Sequence, residues 1–203
     1  MLSLRKYGVQ FKLLLKMILN YYFCTMMYGK KITGLVLIVT IMLFGFGIPE
    51  KLQKKVDKEI EKVFGANDLT FEAIAVPSSL NAQLPAKITA HNFFKLMKNA
   101  EVAGYIFVDN APSKTATFDY LVVFDANLSV VHSKVLIYRE EYGGEIGSKR
   151  WLQQFIGKTG QDRVDHETNI DGISGATISV RSMTTSIDNL LQTVGILQEK
   201  KLL

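Results

Sequence analysis

The stretch that decides the fold is FDYLVVFDANLSVVHSKVLIY, residues 118–138. It contains two apolar runs, Phe118–Phe124 and Val130–Tyr138, which flank Asp125-Ala126-Asn127. β-Branched and aromatic residues favour strands, whereas Asp and Asn favour tight turns. The stretch therefore predicts an antiparallel β-hairpin.

Further secondary-structure signals lie on both sides of this hairpin. Upstream, Leu69–Val76 and Gly104–Val108 predict two more strands, and His91–Asn99 predicts a short helix. Downstream, Lys149–Ile156 predicts a helix, and the C-terminal apolar residues recur at helical spacing up to Gly195, where we expect that helix to end. Strands followed by a closing helix predict an α+β fold, with an antiparallel sheet and flanking helices.

An uncharged apolar segment, Ile32–Ile48, precedes the predicted domain. Its 17 residues are near the lower limit for a membrane-spanning helix. Lys30 and Lys31 stand directly before it, and no acidic residue occurs before Glu50. By the positive-inside rule we expect a cytoplasmic N-terminus and an exported C-terminal part. The same residues fit a single transmembrane anchor or a cleaved signal helix.

The charge distribution argues against nucleic-acid binding, although the chain has 24 Lys and Arg against 19 Asp and Glu. Six of the basic residues lie in the first 31 positions, so the part from Glu50 onward carries 18 basic and 19 acidic residues. This part lacks the positive surface that binds a phosphate backbone. The only cysteine, Cys24, precedes the apolar segment, which leaves the exported part without a disulfide or a thiolate metal site.

These observations predict five segments. They are a basic cytoplasmic segment (1–31), a transmembrane or signal helix (32–48), a helical stalk with a linker (49–94), a folded domain (95–195) and a C-terminal tail (196–203). A start at Met26 or Met27 would shorten the first segment. The stalk is predicted from the charged stretch Glu50–Phe64, whose apolar residues follow helical spacing.

The stretch most informative about chemistry is Asp171–Ser179, DGISGATIS, at the start of the terminal helix. A helix N-terminus offers unpaired N–H groups and the positive end of the helix dipole, which favour a phosphate. Gly175 and Ala176 would let a bulky group approach the backbone. The alternative is an ordinary helix cap, in which the hydroxyl of Ser174 or Thr177 satisfies these N–H groups.

Other kinds of catalytic or metal-binding site do not fit this sequence. Gly172–Ala176 approximates the nucleophile elbow of α/β-hydrolases, but the required histidine must follow it and the last histidine is His166. A calcium loop fails because Ile178 occupies the position of the bidentate glutamate. The three histidines lack metal-ligand spacing. We therefore predict no catalytic residue and no metal site.

The stretch Asp171–Thr177, DGISGAT, resembles the flavinylation motif of FMN-binding domains. These domains occur in flavin-carrying subunits of the sodium-translocating NADH:quinone reductase and of Rnf electron-transport complexes, and in stand-alone bacterial relatives. The order of strands, glycine loop and terminal helix resembles that family over residues 95–195. The resemblance implies an FMN-binding domain over this range.

The resemblance also implies the cofactor site. FMN would be esterified through its phosphate to Thr177, by a flavin transferase that uses FAD outside the cytoplasmic membrane. The remaining candidate cofactor-binding residues are Asp171, Ser174, Gly175, Ala176, Gly143 and Gly144. Where the complex subunits carry a Glu-Thr-Pro-Gly-like loop, this chain has Glu141-Tyr142-Gly143-Gly144-Glu145, so the surroundings of the flavin ring are not implied. Trp151 and Tyr142 fit either ring stacking or ordinary packing.

The function that the resemblance implies is electron transfer through FMN. The protein would be a single-pass protein of the bacterial cytoplasmic membrane, with its domain outside, and would exchange electrons with membrane or extracytoplasmic partners. Two alternatives stay open, namely a flavin-dependent reductase of a small substrate and a binding module without cofactor.

Overall fold

The computed structural model describes Met17, Ile48, residues 50–65 and residues 68–203. The chain divides into two compact units, Met1–Phe46 and Gly47–Leu203, and the fold below belongs to the second. The predicted basic segment (1–31) and membrane or signal helix (32–48) lie outside the described residues, apart from Met17 and Ile48. None of the described helices combines the length and the hydropathy that crossing a bilayer requires.

The second unit is built from one sheet and its flanking helices. In chain order the elements are α1 (Glu50–Phe64), β1 (Thr70–Ala73), α2 (Ser78–Asn81), β2 (Phe93–Lys98), β3 (Glu101–Pro112), β4 (Thr117–Asp125), β5 (Val130–Ile137), a 3₁₀ turn (Gly144–Gly147), α3 (Lys149–Leu152), a second 3₁₀ turn (Gln153–Phe155) and α4 (Thr177–Glu199). The five strands pair in chain order, and every pairing is antiparallel. The predicted α+β class and the predicted hairpin, β4 with β5, are confirmed.

The sheet has a hydrophobic core on each face. Alternate side chains of a strand point to opposite faces, and β4 reads as a continuous apolar run because both of its faces are covered. The core on the α4 face contains the large buried side chains Phe93, Phe107, Phe118, Tyr120 and Phe124. On the other face, Leu121 and Val123 share a core with Val56 and Ile60 of α1.

The predicted stalk is part of the folded unit. Helix α1 is present as expected, but Val56 is fully buried and Ile60 is 3% exposed. The ammonium of Lys55 donates a 2.7 Å hydrogen bond to the carbonyl oxygen of Leu136 in β5. The predicted helix is present, but it packs on the sheet through its apolar stripe and so belongs to the folded domain instead of standing apart from it as a stalk.

The segment predicted as a short helix, His91–Asn99, forms strand β2 instead. Its apolar side chains face both cores, and its backbone pairs with β1 on one side and β3 on the other. The predicted domain start at residue 95 therefore falls within β2, whereas the sheet begins at Thr70. Pairing with two neighbouring strands outweighed the weak local preference of this segment.

The terminal helix continues past Gly195, which we expected to end it. Gly195 is buried, and a Cβ at this position would lie 2.7 Å from the carbonyl oxygen of Gly160. A side chain there would collide with the backbone of the crossing loop. Gly195 thus permits a close approach between that loop and α4 and does not cap the helix.

Candidate functional site

The N-terminus of α4 is exposed and has no side-chain cap. The helix begins at Thr177 after Ala176, and no side chain accepts a hydrogen bond there. Among the described residues, neither Ser174 nor Thr177 satisfies the N–H groups of the first turn, so the ordinary-cap alternative is not what this helix adopts. These groups and the positive end of the helix dipole remain available to an anion.

Open space surrounds the turn that precedes α4. Ser174, Gly175 and Thr177 are exposed, whereas Ala176 is buried. Gly175 has a φ of +79°, a conformation that glycine adopts without strain. A Cβ placed on Gly175 or on Gly172 would meet no atom within 4 Å. A bulky group can therefore approach this backbone.

The glycine loop after β5 reaches the same turn. A Cβ on Gly143 would lie 2.9 Å from the Cβ of Ala176, and Gly143 itself has a φ of +79°. Gly144 does not touch the motif, since a Cβ there would meet only the Tyr138 ring, at 3.9 Å. Of the two predicted loop glycines, the structure brings only Gly143 to the motif.

Tyr138 connects this loop to α4, a role that the sequence did not reveal. Its hydroxyl donates a 2.9 Å hydrogen bond to the carbonyl oxygen of Tyr142 and lies 3.1 Å from the hydroxyl oxygen of Ser179. Tyr138 thereby holds the loop beside the first turn of α4. The ring of Tyr142, by contrast, is 81% exposed.

The backbone of Asp171 is held at the other end of the motif. The indole N–H of Trp151 donates a 2.7 Å hydrogen bond to the carbonyl oxygen of Asp171, and the Asp171 N–H donates a 2.8 Å bond to Gln154. Trp151 is 4% exposed and packs edge-to-face on Phe155 at 5.3 Å. Trp151 is thus packed in the fold and also positions the motif, while a stacking role is untested.

A surface cavity of about 360 Å³ opens beside the motif, between Trp151 and the Asp171–Ile173 stretch. Arg150 and Glu145 add one positive and one negative side chain to its wall. This volume lies in the range of small-molecule sites. The uncapped helix, the open turn and this cavity adjoin one another along the motif.

One known protein family matches the part of the chain that contains the motif. Residues 115–192 match the family model of the FMN-binding domain. The matched segment contains the β4–β5 hairpin, the glycine loop and Thr177, and it ends within α4. No curated protein sequence matches the chain. The resemblance inferred from the motif is thus confirmed over residues 115–192, which contain the motif.

Proposed function

Since residues 115–192 match the family model of the FMN-binding domain, we propose that the protein is an electron carrier whose FMN is joined through its phosphate to Thr177. The observation that carries this proposal is the exposed Thr177 at the uncapped first turn of α4. When bound, FMN supplies reversible acceptance and donation of electrons.

The residues around Thr177 fit a phosphate. The N–H groups of the first helical turn can donate to its oxygens, and the helix dipole favours its negative charge. The empty space around Gly172 and Gly175 leaves room for the rest of the nucleotide. Gly143, packed on Ala176, would bring the second loop beside the bound group.

Covalent attachment suits an exported carrier. Occupancy of a noncovalent site depends on the concentration of free ligand relative to its dissociation constant, and an ester removes this dependence. In the proposed maturation, the Thr177 hydroxyl oxygen forms a bond to the phosphorus of the FMN half of FAD. The P–O–P bond breaks, AMP leaves and the hydroxyl proton is released, with a flavin transferase as catalyst.

The proposed location is the outer face of the bacterial cytoplasmic membrane. It is supported by the apolar segment Ile32–Ile48 and the lysines before it. The partners would then be membrane or extracytoplasmic redox proteins. A carrier is favoured over a reductase because the sequence contains no nicotinamide-binding motif and no recognisable acid–base pair.

Intact mass spectrometry of the full chain, co-expressed with a flavin transferase, tests the attachment. We expect one FMN less one water on the native protein and none on Thr177→Ala, with loss of flavin fluorescence on a denaturing gel. Thr177→Ser, which keeps a hydroxyl, and Thr185→Ala, which removes another exposed hydroxyl of α4, are the matched controls. Covalent flavin on Thr177→Ala would place the attachment elsewhere.

Deleting residues 32–48 tests the location separately. The shortened protein should stay in the cytoplasm without covalent flavin when the transferase is outside. Covalent FMN on this cytoplasmic form would contradict the proposed topology, whatever the result at Thr177.

A further inference from the structure

A second cavity of about 360 Å³ lies at the β5 edge of the sheet, where α1, β5 and the α3 segment meet. Lys149, Leu152 and Gln153 line it, with the i, i+3, i+4 spacing of one helical face. The cavity beside the motif is lined instead by Arg150, Trp151 and Gln154. The two cavities therefore use different faces of the same short segment.

Glu59, the acidic side chain that lines this second cavity, already has partners within the cavity wall. The Glu59 carboxylate accepts a 2.7 Å hydrogen bond from the Lys62 ammonium and lies 3.1 Å from Nε2 of His132. Burial raises the pKa of Glu59, but the hydrogen bonds from Lys62 and His132 outweigh it and hold this pKa below its usual value. Glu59 is therefore a carboxylate whose charge is matched within the wall.

Two further lysines give the cavity its excess positive charge. Lys134 extends from β5 and Lys149 from the start of α3, and both line the cavity. Neither ammonium group makes an ion pair or a hydrogen bond to any group in the described part of the chain. Two ammonium groups are thus available to an anion.

The rest of the wall is largely apolar. Val131 is 37% exposed and Ile156 is 44% exposed, and both belong to the small set of large apolar side chains exposed in the described part. Leu152 is buried behind them. An apolar wall with a few polar groups is the usual composition of a small-molecule site.

We propose that this cavity binds a small organic anion with a carboxylate or phosphate on an apolar body. Lys134 and Lys149 pair with the anionic group, and Val131 and Ile156 cover the apolar body. Binding there uses no residue of the Thr177 motif, so it does not depend on flavin attachment.

Benzoate is a suitable probe, and equilibrium dialysis against the full chain in detergent measures its binding. We expect benzoate to bind at least about tenfold more tightly than benzamide, its neutral counterpart, because charge-assisted hydrogen bonds are among the stronger ones. Acetate, which is charged but lacks the apolar ring, should also bind more weakly. Equal binding of benzoate and benzamide would overturn the proposal.

Matched variants separate the site from general charge effects. Lys134→Gln with Lys149→Gln should weaken benzoate binding about tenfold. Lys54→Gln with Lys114→Gln removes the same charge from exposed positions outside the cavity and should leave binding unchanged. Thr177→Ala should also bind benzoate normally. Unchanged binding in the first pair, or no binding to the native protein, refutes the site.

Discussion

Two exposed turns of this protein differ in whether a side chain accepts hydrogen bonds from their N–H groups. At the turn between β3 and β4, the Glu140 carboxylate accepts hydrogen bonds from the N–H groups of Thr115 and Ala116, at 2.6 and 3.1 Å, and from the hydroxyls of Ser113 and Thr115, at 2.7 and 2.9 Å. At the turn before α4, no side chain caps the helix. The second turn therefore leaves the N–H groups of the helix start to solvent or to a ligand, whereas the first turn satisfies its own within the fold.

One loop reaches both turns. Glu140 closes the β3–β4 turn, whereas Gly143 contacts Ala176 before α4 and Tyr138 contacts Ser179 in the first turn of α4. Glu140 lies between Tyr138 and Gly143 in the chain, so single substitutions are needed to separate the two contacts. Substitutions in this loop test two points. The first is whether the turn before α4, the open turn, depends on its contacts with Tyr138 and Gly143. The second is whether the β3–β4 turn, the closed turn, depends on the charge of Glu140.

The largest effect is expected at Gly143. Alanine there would need a strained φ of +79° and would bring its Cβ to 2.9 Å from Ala176, so we expect a loss of about 2 kcal/mol in unfolding free energy. Gly144→Ala is the control, since its Cβ would make only an ordinary contact at 3.9 Å. Urea unfolding measures both. Equal stability of the two variants would show that Gly143 is not a close contact.

A smaller effect is expected from Tyr138→Phe. The change removes the hydroxyl that contacts Tyr142 and Ser179, and should lower the unfolding free energy by about 1 kcal/mol. It should also reduce the fraction of chains that carry covalent flavin, measured by intact mass, because the loop is released from α4. Tyr142→Phe removes an exposed hydroxyl and should change neither quantity. Identical behaviour of the two variants would remove Tyr138 from its positioning role.

The smallest effect on stability is expected at the β3–β4 turn, and it depends on pH. Hydrogen bonds from the Thr115 N–H and the Ser113 and Thr115 hydroxyls lower the pKa of Glu140 from 4.5 to about 2. A lowered native pKa stabilises the fold above pH 4.5, and this contribution is lost as the pH falls towards 2.

Glu140→Gln should therefore lower the urea midpoint at neutral pH, and the difference from the native protein should shrink in acid. Glu141→Gln, which removes the neighbouring exposed carboxylate, should show no such convergence. A constant difference between native protein and Glu140→Gln at all pH values would contradict the assignment.

Local sequence signals predicted much of this fold. The β4–β5 hairpin follows from two apolar runs and the Asp-Ala-Asn turn, and the terminal helix follows from its spacing. The segment His91–Asn99 was misassigned because its strand character comes from pairing with β1 and β3. Helix α1 was predicted, but the spacing of its apolar residues does not identify the surface that buries them.

For the site, the sequence by itself determined the motif Asp171–Thr177, since small and hydroxyl residues before a helix are readable from neighbouring positions. Only the tertiary structure decided that Gly143 packs on Ala176, that Trp151 holds the Asp171 backbone and that no side chain caps α4. The physical reason is that residue chemistry and periodicity act between chain neighbours. Contacts between distant segments exist only after the sheet and α4 have packed.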